Sequence, residues 1–429
     1  MIHSFSKQYL IYLVLPLLFL PKLNLWTFSG QTAGIRVDDL VLVFLALFCA
    51  WVHIAGRERF SSIEKILGAI VLSSLFSIGC SYILYHMNIL PLMGNPAYAL
   101  RLLEYYLFFY IGLWAAQFYR IEKILTYFLL WNVFLMLLQK FQLLGSFHMG
   151  NYLMVSQRVM GVSSFPTEMG LILNFIYAYF IFSRQKITCR RLYLPPIMHY
   201  LLERFWLFGT TLFLGALILL TGSRAPLAVI LFLFLIRLYQ LRATQKQTLW
   251  LLPVACALCF LAISQSEGMG ERSNLLAMNN LKSAKKVWER LEIKRDADLN
   301  EVKLDQIKNT DVSLLIRLHK WVFALKTYLS EPLVWIQGTG AGFAGPALDG
   351  GLVRLLVETG LLGIFLWGIF LYRIGKISLT IGYVVVSFVL NMIFVDAHLA
   401  YKAMSVFFFI AGSEYAREQS LKSHLLLLK

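Results

Sequence analysis

The sequence predicts an all-α polytopic membrane protein with about twelve transmembrane helices, and three observations lead to that prediction. First, 59% of the 429 residues are hydrophobic and only 14% are charged, whereas soluble domains average about 25% charged residues. Second, apolar runs of roughly 20 residues, the length that spans a bilayer, recur along the chain. Third, outside one long charged loop, most lysines and arginines fall in alternate connections between those runs, which is the pattern of the positive-inside rule.

The apolar runs divide the chain into three regions. Residues 1–264 carry transmembrane helices 1–9, residues 265–346 form a large charged loop, and residues 347–429 carry helices 10–12 and a tail. The candidate helices cover residues 9–25, 38–56, 62–84, 98–118, 121–144, 168–183, 204–222, 225–241, 247–264, 347–372, 376–395 and 400–416.

The charge asymmetry orients these helices. It predicts that both termini lie in the cytoplasm and that the loop at 265–346 lies on the outer side of the membrane. The net charge of +16 is then explained by topology, and we expect no nucleic-acid partner. Within the loop, the stretch "SLLIRLHKWVFALKTYLSEP" predicts an amphipathic helix on the membrane surface, stopped by Pro332.

Several arginines fall at the outer boundary or in the loop, where the topology rule disfavours cations. A cation against the hydrocarbon layer requires a partner, and arginines that converge from one side suit a diphosphate, which they bind bidentately. Snorkelling and local ion pairs are the structural alternatives: Arg354 with Glu358 four residues later, and Arg36 with Asp38 and Asp39. The arginines that we predict to bind a lipid diphosphate are Arg36, Arg101, Arg158, Arg224, Arg317 and Arg354.

Two residues are candidates for a general base. Asp349 precedes a long apolar helix, where it suits proton abstraction from a sugar hydroxyl or, alternatively, plain helix capping. His319 lies beside Arg317 on the amphipathic helix and is either a base or an interfacial histidine. His398, which follows Asp396, is interpreted as part of a short loop.

No motif indicates a metal or cofactor. We find neither G-x-x-x-x-G-K-[ST] nor G-x-G-x-x-G, and no cluster of acids suits Mg²⁺. Cys256 and Cys259 form a C-x-x-C inside an apolar helix with no nearby histidine, where they are interpreted as small packing residues. We therefore predict no metal site and no cofactor.

Five short motifs, taken in order, resemble the bacterial O-antigen ligase and O-antigen polymerase superfamily. They are "RVMGVSSFPTEMG" at 158–170, "TGSRAP" at 221–226, R-x-x-x-W at 317–321, "GTGAGF" at 338–343 and "ETGLLG" at 358–363. The resemblance covers residues 205–370 well and the remainder by topology. It implies a GT-C-like membrane glycosyltransferase whose large periplasmic loop precedes the last few spans.

The chain departs from this family at one informative point. The ligases carry H-[NSQ]-x9-G-x-x-[GTY] here, and this sequence keeps Gly360 and Gly363 but has Asp349 and Gly350 in place of the histidine and its polar neighbour. The departure favours a polymerase over a ligase and leaves the base open between Asp349 and His319. The first motif also departs, since Arg158 and Gly170 are separated by one residue more than the R-x10-G spacing of some polymerases.

The resemblance implies a specific activity and specific partners. A polymerase would join undecaprenyl-diphosphate-linked oligosaccharide repeat units outside the membrane, with inversion at the anomeric carbon and without metal. Its partners would be the lipid-linked donor and acceptor, membrane lipids and a separate protein that regulates chain length. The alternatives are a ligase, which transfers the glycan to lipid A-core, and a twelve-span flippase or transporter.

Overall fold

The structure is a computed structural model, and it describes residues 11–27, 34–56, 61–85, 94–147, 158–183, 196–242, 312–330, 332–345 and 348–427. The candidate helix at 247–264, with Cys256 and Cys259, lies outside the described residues, as does most of the charged loop.

The described chain is dominated by long helices, with one small β-hairpin near the beginning. The hairpin pairs β1 (Asn24–Thr27) with β2 (Gly34–Arg36) in antiparallel register. The helices are α1 (Pro16–Phe19), α2 (Val37–Gly56), α3 (Ser62–Tyr85), α4 (Gly94–Phe118), α5 (Ile121–Lys140), α6 (Pro166–Phe182), α7 (Pro196–Thr221), α8 (Arg224–Arg242), α9 (Val312–Ser330), α10 (Pro332–Gln337), α11 (Gly351–Gly375), α12 (Leu379–Met392) and α13 (Tyr401–Leu427), with a 3₁₀ turn at Ala397–Leu399.

Three stretches of the described residues are long and apolar enough to cross a membrane. They are Ser62–Tyr82, Ile121–Lys140 and Gly351–Gly375, and shorter apolar helices accompany them at Pro166–Phe182, Phe205–Thr221 and Leu379–Met392. The prediction of a mainly helical protein is therefore confirmed, and the length and composition of these three helices are those of membrane spans.

Most helix positions agree with the apolar runs, because each run ends where polar residues, glycine or proline begin. The first predicted span is wrong in its described part. Residues 11–14 and α1 are separate helical pieces, and Asn24–Thr27 form a β-strand. Pro16 lacks the N–H that a continuous helix needs, and it begins a new helix instead. The all-α prediction therefore misses the β1–β2 hairpin.

Proline acts in the same way at the end of the amphipathic helix. The predicted helix is present as α9, which ends at Ser330. Pro332 does stop it, but it also begins the short helix α10, because proline fits the first position of a helix.

Helix α13 is the central element of the bundle. Its residues Ala403–Ala411 are buried on every side, as expected of a helix surrounded by other helices. It packs closely against α4, where a Cβ on Gly112 would overlap the backbone of Phe409 and a Cβ on Gly412 would overlap that of Phe109. Small residues at such crossings let membrane helices approach to backbone contact.

Helix α11 is kinked at Gly360, whose φ of 67° and ψ of −171° are not helical. The loop after α10 fills the kink. Thr339 N donates to Val357 O at 2.8 Å and Gly340 N donates to Glu358 O at 3.0 Å. The "GTGAGF" and "ETGLLG" motifs are thus two halves of one packing unit, in which glycine permits the close approach.

Hydrogen bonds bring many helix ends together at one end of the bundle. Tyr105 Oη donates to Leu399 O at 3.0 Å, and Lys402 N, at the start of α13, donates to Glu168 at the start of α6 at 2.8 Å. Asn174 of α6 donates to Pro226 O in the first turn of α8 at 3.0 Å. We use the name arginine-rich end for the beginnings of α2, α4, α6, α8, α9 and α11, because each has an arginine at or near it: Arg36, Arg101, Arg158, Arg224, Arg317 and Arg354.

Candidate functional site

Arg354 is the most completely buried of the six arginines, with 0% of its side chain exposed. Its Nε donates to Glu358 Oε1 at 3.0 Å, its Nη1 to Asp396 Oδ2 at 3.0 Å and its Nη2 to Gly345 O at 2.6 Å. The predicted pair with Glu358, one helical turn away, is confirmed. Arg354 therefore ties α11 to the loop before it and to the loop before α13.

Asp396 caps the beginning of α11. Its carboxylate accepts hydrogen bonds from the backbone N–H groups of Leu348 at 2.8 Å, Asp349 at 3.3 Å and Gly350 at 3.1 Å. Burial alone would raise the pKa of the Asp396 carboxyl, but Arg354, His398 and these N–H donors outweigh it and hold the pKa below its usual value. A carboxylate from a distant loop thus supplies the cap.

Asp349 does not cap the helix, so the capping alternative for this residue is wrong. Gly350 occupies the N-cap position, and as a glycine it has no side chain that could accept a hydrogen bond from the first turn of the helix. The Asp349 side chain instead accepts a hydrogen bond on Oδ2 from Arg317 Nε at 2.9 Å. The backbone of Asp349 has a φ of 56°, a left-handed conformation that aspartate tolerates better than most residues.

The Arg317–Asp349 pair is accessible, with 38% and 45% of the two side chains exposed. Within the described residues, Arg317 is the one side chain bonded to this carboxylate, so Oδ1 has room for another donor. The pair lies just before the first turn of α11, which is the most apolar of the three candidate spans by mean hydropathy. The geometry therefore presents a carboxylate and a guanidinium together at the end of an apolar helix.

Trp321 holds this site from the same face of α9 as Arg317, one turn later. Its Nε1 donates to Leu348 O at 3.0 Å, and its indole covers Gly350, where a Cβ would lie 2.6 Å from Nε1. The R-x-x-x-W spacing is thereby explained, because positions i and i+4 share one helix face. The indole also explains why glycine stands at 350 in place of a polar residue.

His319 is not brought to Asp349. It lies two residues from Arg317, which is about 200° around the helix axis, so the two side chains leave α9 in different directions. The imidazole is half-buried, and burial lowers its pKa. Of the two candidate bases, Asp349 is the one that the fold pairs with an arginine.

Arg158 caps the end of α7. Its Nε donates to Thr221 O at 2.8 Å and its Nη2 to Gly222 O at 3.0 Å, which satisfies carbonyls that a helix end leaves without partners. Gly222 has a φ of 63° and lies against the guanidinium. The "RVMG" and "TGSRAP" motifs therefore meet at one turn.

Arg224 is the first residue of α8 in that same turn. A cation at a helix N-terminus opposes the helix dipole, so this position is not explained by the stability of α8. Arg158 contacts the same turn, where it donates to the carbonyls of Thr221 and Gly222 and to the hydroxyl of Ser223.

Arg36 is held by acids and by an aromatic ring. It forms ion pairs with Asp39 and Glu104, and its guanidinium lies 4.2 Å from the centre of the Tyr401 ring. The predicted pairing of Arg36 with the acids that follow it is confirmed. Like Arg354, this arginine is buried.

Arg101 differs from Arg36 and Arg354. Its guanidinium stacks over Tyr98 at 4.7 Å, and within the described chain it forms no ion pair with a carboxylate. It lines a small pocket between α3, α4 and α11. The edge of the guanidinium, which carries the N–H groups, therefore keeps hydrogen-bonding capacity.

Sequence reasoning missed two residues of this region. Asp396 caps α11 from 47 residues away, and His398 is buried against the same pocket as Arg101. The sequence signal was present, since both are charged or titratable residues in a short loop between apolar helices, but it did not show what they contact.

Comparison with known proteins adds nothing to this geometry: no family model matches the sequence, and no characterised protein matches it either. Within the described residues, no group of histidine, cysteine, aspartate and glutamate side chains is arranged to hold a metal ion.

Proposed function

We propose that the protein is an inner-membrane glycosyltransferase that polymerises undecaprenyl-diphosphate-linked oligosaccharide repeat units. The proposal includes the finer topology: about twelve spans, both termini in the cytoplasm and the arginine-rich end on the periplasmic side. The observation that carries it is the accessible Arg317–Asp349 pair at the beginning of α11, which places a proton acceptor beside an anion-binding group.

The reaction assigns each group a role. Asp349 accepts the proton of an acceptor sugar hydroxyl, and the oxygen attacks the anomeric carbon of the growing chain. The bond from that carbon to the diphosphate oxygen breaks, and undecaprenyl diphosphate leaves with the electron pair. Arg317, Arg224 and Arg101 stabilise the negative charge that grows on the diphosphate.

The other three arginines support the site in this proposal. Arg36, Arg158 and Arg354 use their donors on carboxylates and carbonyls of the protein itself. They fix the relative positions of the helix ends from which Arg101, Arg224 and Asp349 extend. His319 remains the alternative base, and the variant His319→Gln tests whether it contributes.

The decisive experiment places the purified protein in liposomes with a lipid-linked repeat unit from the strain that supplies the gene, and no other acceptor. A polymerase forms a ladder of longer glycans on a gel. If products form only after lipid A-core is added, the protein is a ligase. If lipid-linked units cross the bilayer without growing, it is a flippase or transporter.

Arg224 supplies the matched variants for this assay. We expect Arg224→Ala to abolish the ladder, and Arg224→Lys to restore little of it, because a point charge does not replace a bidentate contact. Arg373→Ala is the control, since Arg373 is an exposed arginine at the opposite end of α11. Full activity of the lysine variant would show that charge alone is sufficient there.

A further inference from the structure

The loop that follows α10 packs well inside two candidate membrane spans, α3 and α11. Gly340 N donates to Glu358 O at 3.0 Å, and a Cβ on Gly340 would lie 3.2 Å from the Cα of Ile78. Glu358 lies seven residues after the beginning of α11, and Ile78 lies seven residues before the end of α3. Both helices therefore place Gly340 at the same depth, about 10 Å from their ends at this side of the bundle.

This depth is inside the hydrocarbon layer of a bilayer that α11 crosses. The 25 residues of α11 measure about 37 Å along the helix axis, and the hydrocarbon core of a bilayer is about 30 Å thick. A helix that spans the core symmetrically projects only about 3–4 Å beyond each boundary. Gly340 therefore lies roughly 7 Å inside the hydrocarbon, although it belongs to a connection between helices.

Both ends of this connection lie at the beginning of α11. Arg317, near the beginning of α9, donates to Asp349, just before α11, at 2.9 Å. From Arg317 the chain follows α9 and α10 down to the kink of α11, and it then returns to Asp349. The chain thus enters and leaves on one side of the bundle.

Irregular backbone is stable at such a depth only where the protein itself satisfies the backbone polar groups. The loop meets this condition where it contacts α11. Val357 O accepts hydrogen bonds from Thr339 N at 2.8 Å and from Thr339 Oγ1 at 3.0 Å. Glu358 O accepts the bond from Gly340 N. Residues 338–340 are all buried, so water is not needed at this turn.

Side-chain hydroxyl groups satisfy the junction of α9 and α10 in the same way. Ser330 Oγ donates to Thr327 O at 2.7 Å, and Tyr328 Oη donates to Trp335 O at 2.8 Å. Both carbonyls belong to the last four of their helix, which a helix leaves without a partner of its own. The protein therefore supplies the donors that water supplies at most exposed helix ends.

The outer side of α10 is apolar and exposed. Leu333, Trp335 and Ile336 are 57%, 42% and 59% exposed, whereas Val334 is 0% exposed. Val334 packs in one buried apolar cluster with Val357 of α11. Helix α10 thus covers α11 with one side and presents three large apolar side chains on the other.

This apolar surface continues onto the exposed side of α11. A Cβ on Gly360 would lie 2.3 Å from Ile336 O, so α10 touches the kink directly. Leu361 and Phe365, which follow the kink, are exposed and belong to the candidate span. The exposed side chains of a span contact lipid tails, and those of α10 extend the same surface.

From these observations we infer that residues 333–341 form a re-entrant segment, which enters the lipid hydrocarbon beside α11 and returns to the side from which it came. Leu333, Trp335 and Ile336 contact the acyl chains, while α3 and α11 cover the loop. The inference requires α11 to cross the membrane, as in the proposed topology, but it does not depend on glycosyl transfer. The last part of the loop predicted at 265–346 then lies in the membrane instead of in water.

The test is the accessibility of spin labels in the purified full-length protein, reconstituted in liposomes of dioleoyl phosphatidylcholine and dioleoyl phosphatidylglycerol. Leu333→Cys and Ile336→Cys are labelled in a chain whose five native cysteines are replaced by alanine. Oxygen, which concentrates in hydrocarbon, and a nickel chelate, which stays in water, report the surroundings of each label.

Two exposed positions supply the matched controls. Phe365→Cys, on α11, is the lipid control, and Ser420→Cys, near the end of α13, is the water control. We expect the labels at Leu333→Cys and Ile336→Cys to match the label at Phe365→Cys. All three should collide more often with oxygen, and less often with the chelate, than the label at Ser420→Cys.

A second measurement keeps the native cysteines. The difference in fluorescence between wild type and Trp335→Phe isolates the emission of Trp335. We expect phospholipids brominated on their acyl chains to quench this emission more strongly than iodide in the water. The matching difference for Trp367→Phe should be quenched by neither, because Trp367 is buried in the same bundle.

Three results would overturn the inference. Chelate collisions at Leu333→Cys and Ile336→Cys as frequent as at Ser420→Cys would place α10 in water. Few collisions with either reagent would show that protein, from this chain or a second copy, covers the surface. A label at Phe365→Cys in water would mean that α11 does not cross the membrane. A segment in lipid without any glycan ladder would instead refute only the proposed function.

Discussion

Two ion pairs at the beginning of α11 each join an arginine to a carboxylate, but one pair is buried and the other is exposed. Arg354 is 0% exposed and divides its donors among Glu358, Asp396 and Gly345 O, whereas Arg317 and Asp349 are 38% and 45% exposed and bind mainly each other. Removing one partner of a buried pair leaves an uncompensated charge and costs about 3–5 kcal/mol. An exposed pair contributes about 0–1 kcal/mol. Burial therefore separates the arginine that maintains the fold from the one available for chemistry.

The strongest test of this contrast is Arg354→Met. The substitution leaves Glu358 and Asp396 buried without their cation, so we expect a loss of about 3–5 kcal/mol of stability, with little protein recovered from the membrane. Expression and thermal unfolding in detergent measure the effect. Arg373→Met, at the exposed end of the same helix, is the control. Normal yield of Arg354→Met would mean that the buried network is dispensable.

Asp349→Asn should reduce polymerisation by about 10²–10⁴-fold, the usual contribution of a general base, with almost unchanged thermal stability. Asparagine tolerates the φ of 56° and lacks only the proton acceptor. Asp349→Gly is the companion variant, since it relieves the left-handed backbone and should be equally inactive while at least as stable. An active Asp349→Asn, with an inactive His319→Gln, would move the base to His319.

The buried end of α11 should also be sensitive to acid through His398. Burial is the main cause that lowers the pKa of His398 from 6.5 to about 4, despite the nearby carboxylate of Asp396; Arg354 lowers it further. Between those pH values the unfolded chain takes up a proton that the folded chain excludes, so the free energy of unfolding falls as the pH falls. The full effect is on the order of 3 kcal/mol.

Thermal unfolding of wild type and His398→Gln from pH 7.5 to pH 4 checks this expectation. The wild type should lose stability below about pH 6.5, and the variant should lose less over the same range. Glu358, Arg101 and Arg354 face the same region and are unchanged in the variant. Parallel curves would contradict a neutral, buried imidazole.

Gly350 joins the two regions, because its N–H binds Asp396 and its Cα lies under Trp321. A methyl group at this position would lie 2.6–2.9 Å from the indole, and overpacking of this kind costs about 1–3 kcal/mol. We expect Gly350→Ala to unfold at a lower temperature. The double variant with Trp321→Phe should recover part of the loss. An additive double variant would show that the indole moves aside freely.

The smallest expected effect on stability is that of Arg317→Gln, at most about 1 kcal/mol. The same variant should nevertheless lose polymerisation, since Asp349 would then have no cation beside it. Comparing the unfolding temperature and the ladder of this variant with those of Arg354→Met tests the division between fold and chemistry directly. A large loss of stability in Arg317→Gln would place both pairs in the structural group.

The sequence predicted what depends on local spacing. The helix positions follow from apolar runs, and the Arg354–Glu358 pair follows from one-turn spacing on a helix. The amphipathic helix and its end were also predicted, because Pro332 cannot continue the hydrogen-bonding pattern of α9.

Contacts between distant segments were not predictable in this way. Asp349 has the sequence of a helix cap, yet Asp396 supplies the cap, because only the folded bundle brings the loop before α13 to the start of α11. The sequence predicted that Arg158 binds a lipid diphosphate, yet in the structure its guanidinium donates to the carbonyls at the end of α7. A one-dimensional pattern identifies residues that need partners without identifying the partners.

The kink at Gly360 has a consequence for amide hydrogen exchange. Loop amides ordinarily exchange quickly, but the amides of Thr339 and Gly340 donate to Val357 and Glu358 within α11. Their exchange therefore requires the loop to separate from the helix, and they should be protected to the same extent as the helix around them. Deuterium uptake at these two amides therefore measures how often the loop separates from α11. The measurement uses the wild-type protein and needs no added ligand.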